Sequence, residues 1–139
     1  MKNIIIVTGG AGFIGSNLIK YLIKKTKFKI ISIDNYSTGT IKNHTIHKNV
    51  KYIKSENINI TKVLKSYKKK IKAIFHFGEF SRIYQSFLKP KECLNSNINN
   101  SFEVINFAKD NKIKIIYSAT SSALGTMPRT LADGEGMIR

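Results

Sequence analysis

Seven residues near the start of the chain have the types and spacing that suit phosphate binding. The segment Gly9-Gly10-Ala11-Gly12-Phe13-Ile14-Gly15 lies between an apolar run, Ile4–Thr8, and an amphipathic helical stretch. Glycines let the backbone approach a pyrophosphate closely, and the helix that follows presents unpaired N–H groups to an anion. The segment also contains G-x-G-x-x-G, starting at Gly10, which in this strand-to-helix context indicates a dinucleotide site.

An acidic residue follows at the distance that ribose recognition requires. Asp34 ends the second predicted strand, 19 residues after Gly15. A carboxylate there can accept hydrogen bonds from the adenosine ribose hydroxyls. The same charge would repel a 2′-phosphate, so the sequence favours NAD over NADP as the cofactor. The alternative is a surface aspartate that merely ends a strand.

Predicted strands and helices alternate along the chain. β-branched apolar runs predict strands at Ile4–Thr8, Lys29–Asp34, Val50–Lys54, 73–77 and 114–118. Apolar periodicity predicts helices at Phe13–Lys25, 61–70 and 90–111. The last of these has a predicted apolar side of Cys93, Leu94, Ile98, Phe102, Ile105 and Phe107. The alternation predicts an α/β fold, a Rossmann-type doubly wound parallel sheet of five strands in the order 3-2-1-4-5.

Composition changes near the end of the chain. Every lysine lies at or before Lys114, whereas Arg129 and Arg139 are two of only three arginines. We therefore expect an incomplete NAD-binding Rossmann domain over residues 1–125 and a divergent, disordered tail over 126–139. A second explanation is a truncation, frameshift or recombination near codon 125.

The strong positive charge does not by itself indicate a nucleic-acid partner. The formal net charge is +16, but lysine, isoleucine and asparagine together supply 57 of the 139 residues. A+T-rich codons would impose that composition on any protein, and the lysines are scattered rather than gathered in one basic block. We expect no nucleic-acid partner, and a basic nucleic-acid-binding protein remains only a weak alternative.

The remaining composition favours a soluble, cytoplasmic protein. Cys93 is the only cysteine, so no internal disulfide can form, as in reducing compartments. No apolar run approaches the roughly 18 residues of a membrane span, and no signal peptide precedes the first strand. His44 and His47 lie in a polar loop without nearby carboxylates, so we expect no metal site. His76 is expected to be a packed or cofactor-flanking residue.

Four segments occur in an order and at distances that resemble one enzyme family. They are residues 8–17 (TGGAGFIGSN), 34–39 (DNYSTG), 75–78 (FHFG) and 117–120 (YSAT). Over residues 2–125 they resemble the extended short-chain dehydrogenase/reductase family, the NAD-dependent epimerases and dehydratases of nucleotide sugars. The resemblance is closest to UDP-glucose 4-epimerase-like proteins, and residues 78–82 (GEFSR) are similar to a subset of them.

The resemblance implies a role for each matching position. The pyrophosphate would lie against Gly9, Gly12, Phe13, Ile14 and Gly15. The adenosine would lie against Asp34, Asn35, Ser37, Thr38, Gly39, Asn57 and Ile58. The fourth-strand turn under the cofactor would be Phe77, Gly78 and Glu79, and Ser96 would support the site. Asn57 stands where the family usually has Asp, and Glu79 stands where it usually has a small residue.

The same resemblance implies a catalytic role for Thr120 and shows that the tyrosine and lysine pair of the family has no match in this sequence. Thr120 matches the Ser or Thr that hydrogen-bonds the sugar hydroxyl being oxidised, although a threonine at a strand end can simply satisfy backbone groups. The family also needs a Tyr activated by a Lys four residues later, beyond the fifth strand. Tyr21 and Lys25 have that spacing but lie on the first helix, so no such pair is present.

Two functions stay open on this sequence. The first is the NAD-binding N-terminal region of a nucleotide-sugar 4-epimerase or dehydratase, with a UDP-sugar as the substrate of the full-length family and this chain inactive alone. The second is a stand-alone, non-catalytic NAD-binding module that acts through a partner chain. The fifth strand would form an exposed apolar edge, which predicts self-association or a homodimer.

Overall fold

The computed structural model describes residues 3–119, which form alternating strands and helices. The strands are β1 (Ile4–Thr8), β2 (Lys29–Asp34), β3 (Val50–Lys54), β4 (Ile71–His76) and β5 (Lys114–Tyr117). The helices are α1 (Phe13–Lys25), α2 (Ile60–Val63), α3 (Ile83–Leu88), α4 (Pro90–Leu94) and α5 (Ser101–Asp110). A π-helical segment, Asn95–Asn100, joins α4 to α5. Short 3-10 turns lie at Ile41–Asn43, Asn57–Asn59 and Lys68–Lys70.

The five strands form one parallel sheet in the order β3-β2-β1-β4-β5. The α/β class and the predicted strand order are therefore confirmed. β1 lies at the centre of the sheet and all five of its residues are buried, as its continuous apolar run requires. Strand order reverses between β2 and β4, on either side of β1. In parallel sheets that point forms a crevice for ligands.

Alternate residues of the central strands pack into two separate cores, one on each face of the sheet. Ile4 and Ile6 face a core that contains Val104 and Phe107 of α5. Ile5 and Val7 face the other core, with Ile19 of α1. This two-residue alternation follows from the pleat of a strand. Helices therefore cover both faces of the sheet.

The predicted helix over residues 61–70 is wrong in extent. The structure has one helical turn, α2, and then irregular turns before the Lys68–Lys70 3-10 turn. Ile60 and Leu64 are buried, but the lysines that follow offer no apolar stripe to hold a longer helix against the sheet. The predicted fourth strand also begins and ends earlier, at Ile71 and His76.

The predicted apolar side of the 90–111 helix is wrong for most of its residues. Leu94, Ile98, Phe102 and Ile105 are exposed, and Cys93 is partly buried, whereas Phe107 is buried as expected. Val104 and Ala108 join Phe107 on the core side of α5. Phe102 and Ile105 lie on the same unbroken helix as Val104 and Phe107, so α5 has apolar residues on two faces and the prediction took the face that the sheet does not cover. The short helix α3 was not predicted.

Within residues 3–119, β3 and β5 form the two edges of the sheet. Ile115 and Ile116 of β5 are half-buried, and Lys114 and Tyr117 are exposed. The expectation that this edge mediates self-association stays a prediction. No helix of this described part is long and apolar enough to cross a membrane.

Candidate functional site

A cleft of about 1270 Å³ lies at the carboxyl ends of the strands. The loops that follow β1, β2, β3, β4 and β5 all contribute to its lining. This is the edge where a doubly wound sheet binds ligands, because the loops separate at the point where strand order reverses. The volume is ample for an extended ligand such as a dinucleotide.

Crowding by neighbouring backbone atoms requires glycine at two positions of the loop after β1. Gly9 has a φ of +70°, and a Cβ built there would lie 2.7 Å from the Phe77 carbonyl oxygen. A Cβ on Gly15 would collide with the carbonyl oxygen of Gly9. Gly12 is different, since a Cβ there would meet only the Gly9 carbonyl oxygen, at 3.3 Å. The backbone path of the loop therefore depends on glycine at Gly9 and Gly15. At Gly12 the lack of a side chain instead leaves the loop surface open to a ligand.

The N-terminus of α1 faces the cleft without a protein cap. Gly12 is the N-cap residue and supplies no side-chain hydrogen bond, and the first turn contains no acidic residue. Phe13 and Ile14 line the cleft at this first turn. The free N–H groups and the positive end of the helix dipole suit an anion such as a pyrophosphate.

Asp34 ties the glycine loop to the end of β2. Its Oδ2 accepts a hydrogen bond from the Ala11 N–H at 2.9 Å, and its Oδ1 accepts one from the Tyr36 N–H at 2.8 Å. The residue is buried yet lines the cleft. Each carboxylate oxygen can still accept a further hydrogen bond. Asp34 can therefore hold the loop and receive a ligand hydroxyl at the same time.

The loop after β4 is held from several sides. The Thr8 Oγ1 accepts hydrogen bonds from the N–H groups of Phe77 and Gly78, each at 3.2 Å. The Asn57 Nδ2 donates to the Gly78 carbonyl at 3.0 Å. Asn97 accepts from the Phe80 N–H at 2.6 Å and donates to its carbonyl at 2.9 Å. This loop is thus fixed against β1, the 3-10 turn after β3 and the π-helical segment.

A directed chain of hydrogen bonds runs from the buried Thr8 to Glu79 and Tyr117, which line the cleft. Because the Thr8 hydroxyl accepts two N–H groups, its own proton points to Nδ1 of His76, 2.6 Å away. Nε2 of His76 then carries the ring proton and donates to Ser101 Oγ at 2.9 Å. The Ser101 hydroxyl donates to Oε1 of Glu79 at 2.9 Å. Tyr117 also donates to that oxygen, at 2.6 Å.

Burial sets the protonation of the histidine in this chain. His76 is fully buried, and desolvation lowers its pKa below 6.5 in spite of the opposing charge of Glu79. The hydrogen bond to Glu79, with burial, raises the pKa of Tyr117 to about 12. Both rings are therefore neutral at pH 7.

We expect acid to destabilise the fold through His76. The His76 ring becomes protonated near pH 6.5 in the unfolded chain and only at lower pH in the folded chain. The contribution of neutral His76 to the free energy of unfolding is therefore fully present above pH 6.5 and is lost as the pH falls below it. The free energy of unfolding should fall by up to about 1.4 kcal/mol per pH unit in that window. Denaturant unfolding between pH 7.5 and 5 measures the change in the free energy of unfolding, and NMR measures the protonation of the His76 ring over the same range. His76 signals that titrate at or above pH 6.5 would contradict the assignment.

The structure brings most of the predicted site residues into the lining of this one cleft. They are Gly9, Gly12, Phe13, Ile14, Gly15, Asp34, Asn35, Ser37, Thr38, Gly39, Asn57, Phe77, Gly78, Glu79 and Ser96. Ile58 is partly exposed and is not part of the lining. Thr120 lies outside the described residues.

Sequence reasoning missed the residues that hold the loops in place. Thr8 and Ser101 are buried polar residues in the hydrogen-bond chain, and Asn97 and Asn100 lie on the π-helical segment. Asn100 donates to Glu56, which also accepts from Asn35. The run of asparagines at 95–100 was the available signal, since so many amides in one helical stretch suit side chain to backbone bonding better than a solvated face.

Comparison with known proteins agrees with this geometry. A curated ADP-L-glycero-D-manno-heptose-6-epimerase from Brachyspira hyodysenteriae is 34% identical over 129 residues, covering 87% of this chain and 38% of the relative. The chain thus spans about two fifths of the length of that protein.

Solved structures give the same result. A UDP-N-acetylglucosamine 4-epimerase from Methanobrevibacter ruminantium, in complex with UDP-N-acetylmuramic acid, has a TM-score of 0.79 and 32% identity over 92% of this chain and 41% of that chain. A UDP-glucose 4-epimerase from Thermotoga maritima, with UDP-glucose, has a TM-score of 0.77 and 26% identity over 86% of this chain and 38% of that chain.

A family model supplies the assignment. The model of the NAD-dependent epimerase/dehydratase family matches residues 5–137, nearly the whole chain. The match includes the glycine loop, the uncapped α1 and Asp34, the features that shape the cleft. On this evidence the chain belongs to the NAD-dependent epimerase/dehydratase family.

Proposed function

We propose that this chain binds NAD in the cleft at the carboxyl ends of β1, β2 and β4. The observation that carries the proposal is the open N-terminus of α1, which directly follows a glycine loop and has neither a side-chain cap nor an acidic first turn. The clear surface at Gly12 leaves room for a phosphate group to approach those N–H groups. The residues present therefore fit the cofactor of the family.

The chain's own residues would bind and orient the cofactor. The pyrophosphate would lie against Gly12 and the N–H groups of Phe13 and Ile14, and the adenosine ribose against the remaining lone pairs of Asp34. Asn57 holds the loop beneath through its bond to Gly78. When bound, NAD supplies a hydride acceptor. The contribution of this chain is the shape and charge of the cleft.

We also propose that the full-length protein acts on a nucleotide sugar as an epimerase or dehydratase. Support comes from the relatives, whose names specify heptose and UDP-sugar epimerases. The 139 residues contain no Tyr-x-x-x-Lys pair after β5, because the last lysine is Lys114. We therefore propose that this chain alone binds the cofactor without turnover. In the full-length protein, we propose that Thr120 hydrogen-bonds the sugar hydroxyl that is oxidised.

We expect the chain to bind NAD at least tenfold more tightly than NADP. Asp34 is fixed by two backbone hydrogen bonds, so it cannot turn away from a 2′-phosphate and its charge would repel that group. Isothermal titration calorimetry with both cofactors measures the ratio. Titration of a duplex DNA is the control for the net charge of +16, since such binding falls steeply with salt. Equal affinities for NAD and NADP would contradict the assigned role of Asp34.

A further inference from the structure

Glu79 is a fixed negative charge at one end of the cleft. Its side chain is 19% exposed and lines the cleft, and its Oε1 accepts from Ser101 and Tyr117. Its Oε2 has no hydrogen-bond partner among residues 3–119. The two bonds to Oε1 hold the carboxylate in place, and Oε2 remains available to the cleft.

The neighbours of Glu79 do not cancel this charge. His76 Nε2 is 3.9 Å from Oε1, but burial lowers its pKa, so the ring is neutral at pH 7. The Tyr117 phenol is neutral as well, since its pKa is raised to about 12. In the described part of the chain, no lysine or arginine nitrogen lies within 4.0 Å of the carboxylate. The group of five hydrogen-bonded residues, Thr8, His76, Glu79, Ser101 and Tyr117, therefore carries one negative charge that forms no salt bridge with a lysine or arginine of residues 3–119, although Arg82 also lines the cleft.

The topology assigns this charge to one half of the ligand. Asp34 lies at the end of β2, on one side of β1, and Glu79 follows β4 on the other side. If the pyrophosphate lies at the loop after β1 and the adenosine at Asp34, the other half of the dinucleotide extends over β4 and β5. That half carries the nicotinamide ring, which is positively charged in NAD and neutral in NADH.

We propose that Glu79 makes the cleft selective for the oxidised cofactor, by attracting the positively charged nicotinamide ring of NAD. This inference rests on the proposed function, because it requires the dinucleotide to bind in this cleft. A carboxylate in a partly desolvated site stabilises a nearby cation and gives nothing to a neutral ring. Glu79 is thus a specificity-determining residue for the redox state of the ligand.

The test is the affinity of the full chain for NAD and for NADH, measured by calorimetry in wild type and in E79Q. Glutamine keeps an oxygen that can accept from Ser101 and Tyr117, so the variant removes charge with little change of shape. We expect the dissociation constant of NAD to rise about 3- to 10-fold relative to that of NADH. E79A also removes the charge, so we expect the same change in the ratio of the NAD and NADH dissociation constants. This variant replaces E79Q in the test if E79Q folds poorly.

E56Q is the matched control. Glu56 also lines the cleft, but it follows β3, which lies on the other side of β1 from β4, and it accepts from Asn35 and Asn100 rather than from Ser101 and Tyr117. We expect E56Q to leave the ratio of the NAD and NADH affinities unchanged. An unchanged ratio in E79Q and E79A would overturn this inference alone, provided that wild type binds NAD. A wild-type chain that binds neither form would overturn the proposed function and this inference together.

Discussion

Replacing Gly9 with alanine is expected to destabilise the fold by about 2–5 kcal/mol. The residue has a φ of +70°, where an L side chain is strained by about 1–2 kcal/mol. A new Cβ would also lie 2.7 Å from the Phe77 carbonyl oxygen and 2.8 Å from Gly78, which are backbone atoms that cannot move away easily. A melting temperature measured by circular dichroism should fall by about 10 °C or more.

Gly12→Ala is the matched control for this variant. Gly12 has a φ of −79°, which alanine adopts readily, and a new Cβ meets only the Gly9 carbonyl oxygen at 3.3 Å. We expect G12A to lose about 1 kcal/mol or less of stability. Its affinity for NAD should nevertheless fall at least tenfold, because the methyl group occupies the approach to the α1 N–H groups. Equal losses of stability in G9A and G12A would show that the loop geometry described here is wrong.

Thr8→Val is expected to cost about 2–4 kcal/mol although valine has nearly the same shape as threonine. The Thr8 hydroxyl is fully buried and makes three hydrogen bonds, with the N–H groups of Phe77 and Gly78 and with His76. Its removal leaves the Gly78 N–H and Nδ1 of His76 without this partner, whereas the Phe77 N–H keeps its bond to the Thr8 carbonyl. Each buried polar group left unpaired costs about 1–3 kcal/mol. Denaturant unfolding at pH 7.5 measures the difference in free energy from wild type.

Thr45→Val tests whether the hydrogen bonds, rather than the substitution itself, cause that loss. The Thr45 Oγ1 is buried and has no hydrogen-bond partner within the described residues. Removing it relieves an unsatisfied polar group, so T45V should match or exceed wild-type stability. If T8V and T45V were equally stable, the hydrogen-bond chain from Thr8 to Glu79 would contribute nothing to the fold.

The elements with a strong local signal could be predicted from sequence. β1, α1, β2 and β3 have the predicted bounds, because continuous β-branched runs and one clear apolar helical stripe determine them. The strand order followed from the alternation of elements and the handedness of their connections. The helix after β4 shows the limit of this reasoning. Apolar residues lie on two faces of α5, and its sequence alone does not indicate which of them the sheet covers.

The site was predictable only where the spacing of residues along the sequence determines their position. The glycine loop and Asp34 have fixed sequence spacing, so their convergence on the cleft could be expected. Thr8, His76 and Ser101 could not be connected in this way, because each lies on a different element. Thr8 and His76, for example, are 68 residues apart in the sequence. Their hydrogen bonds depend on the register of β1 against β4, which pairs these two residues directly.

The most direct test of the central claim is an NMR titration of the 15N-labelled chain with NAD. We predict saturable shifts of the amide signals of Gly12, Phe13 and Ile14, with further shifts at the ends of β2 and β4. The reference surface is the small hollow lined by Thr61, Lys62, Lys65, Lys68, Phe107 and Asn111, whose lysines could attract any phosphate. Shifts confined to that hollow, or no saturation at millimolar NAD, would contradict the proposal that this chain is a cofactor-binding unit.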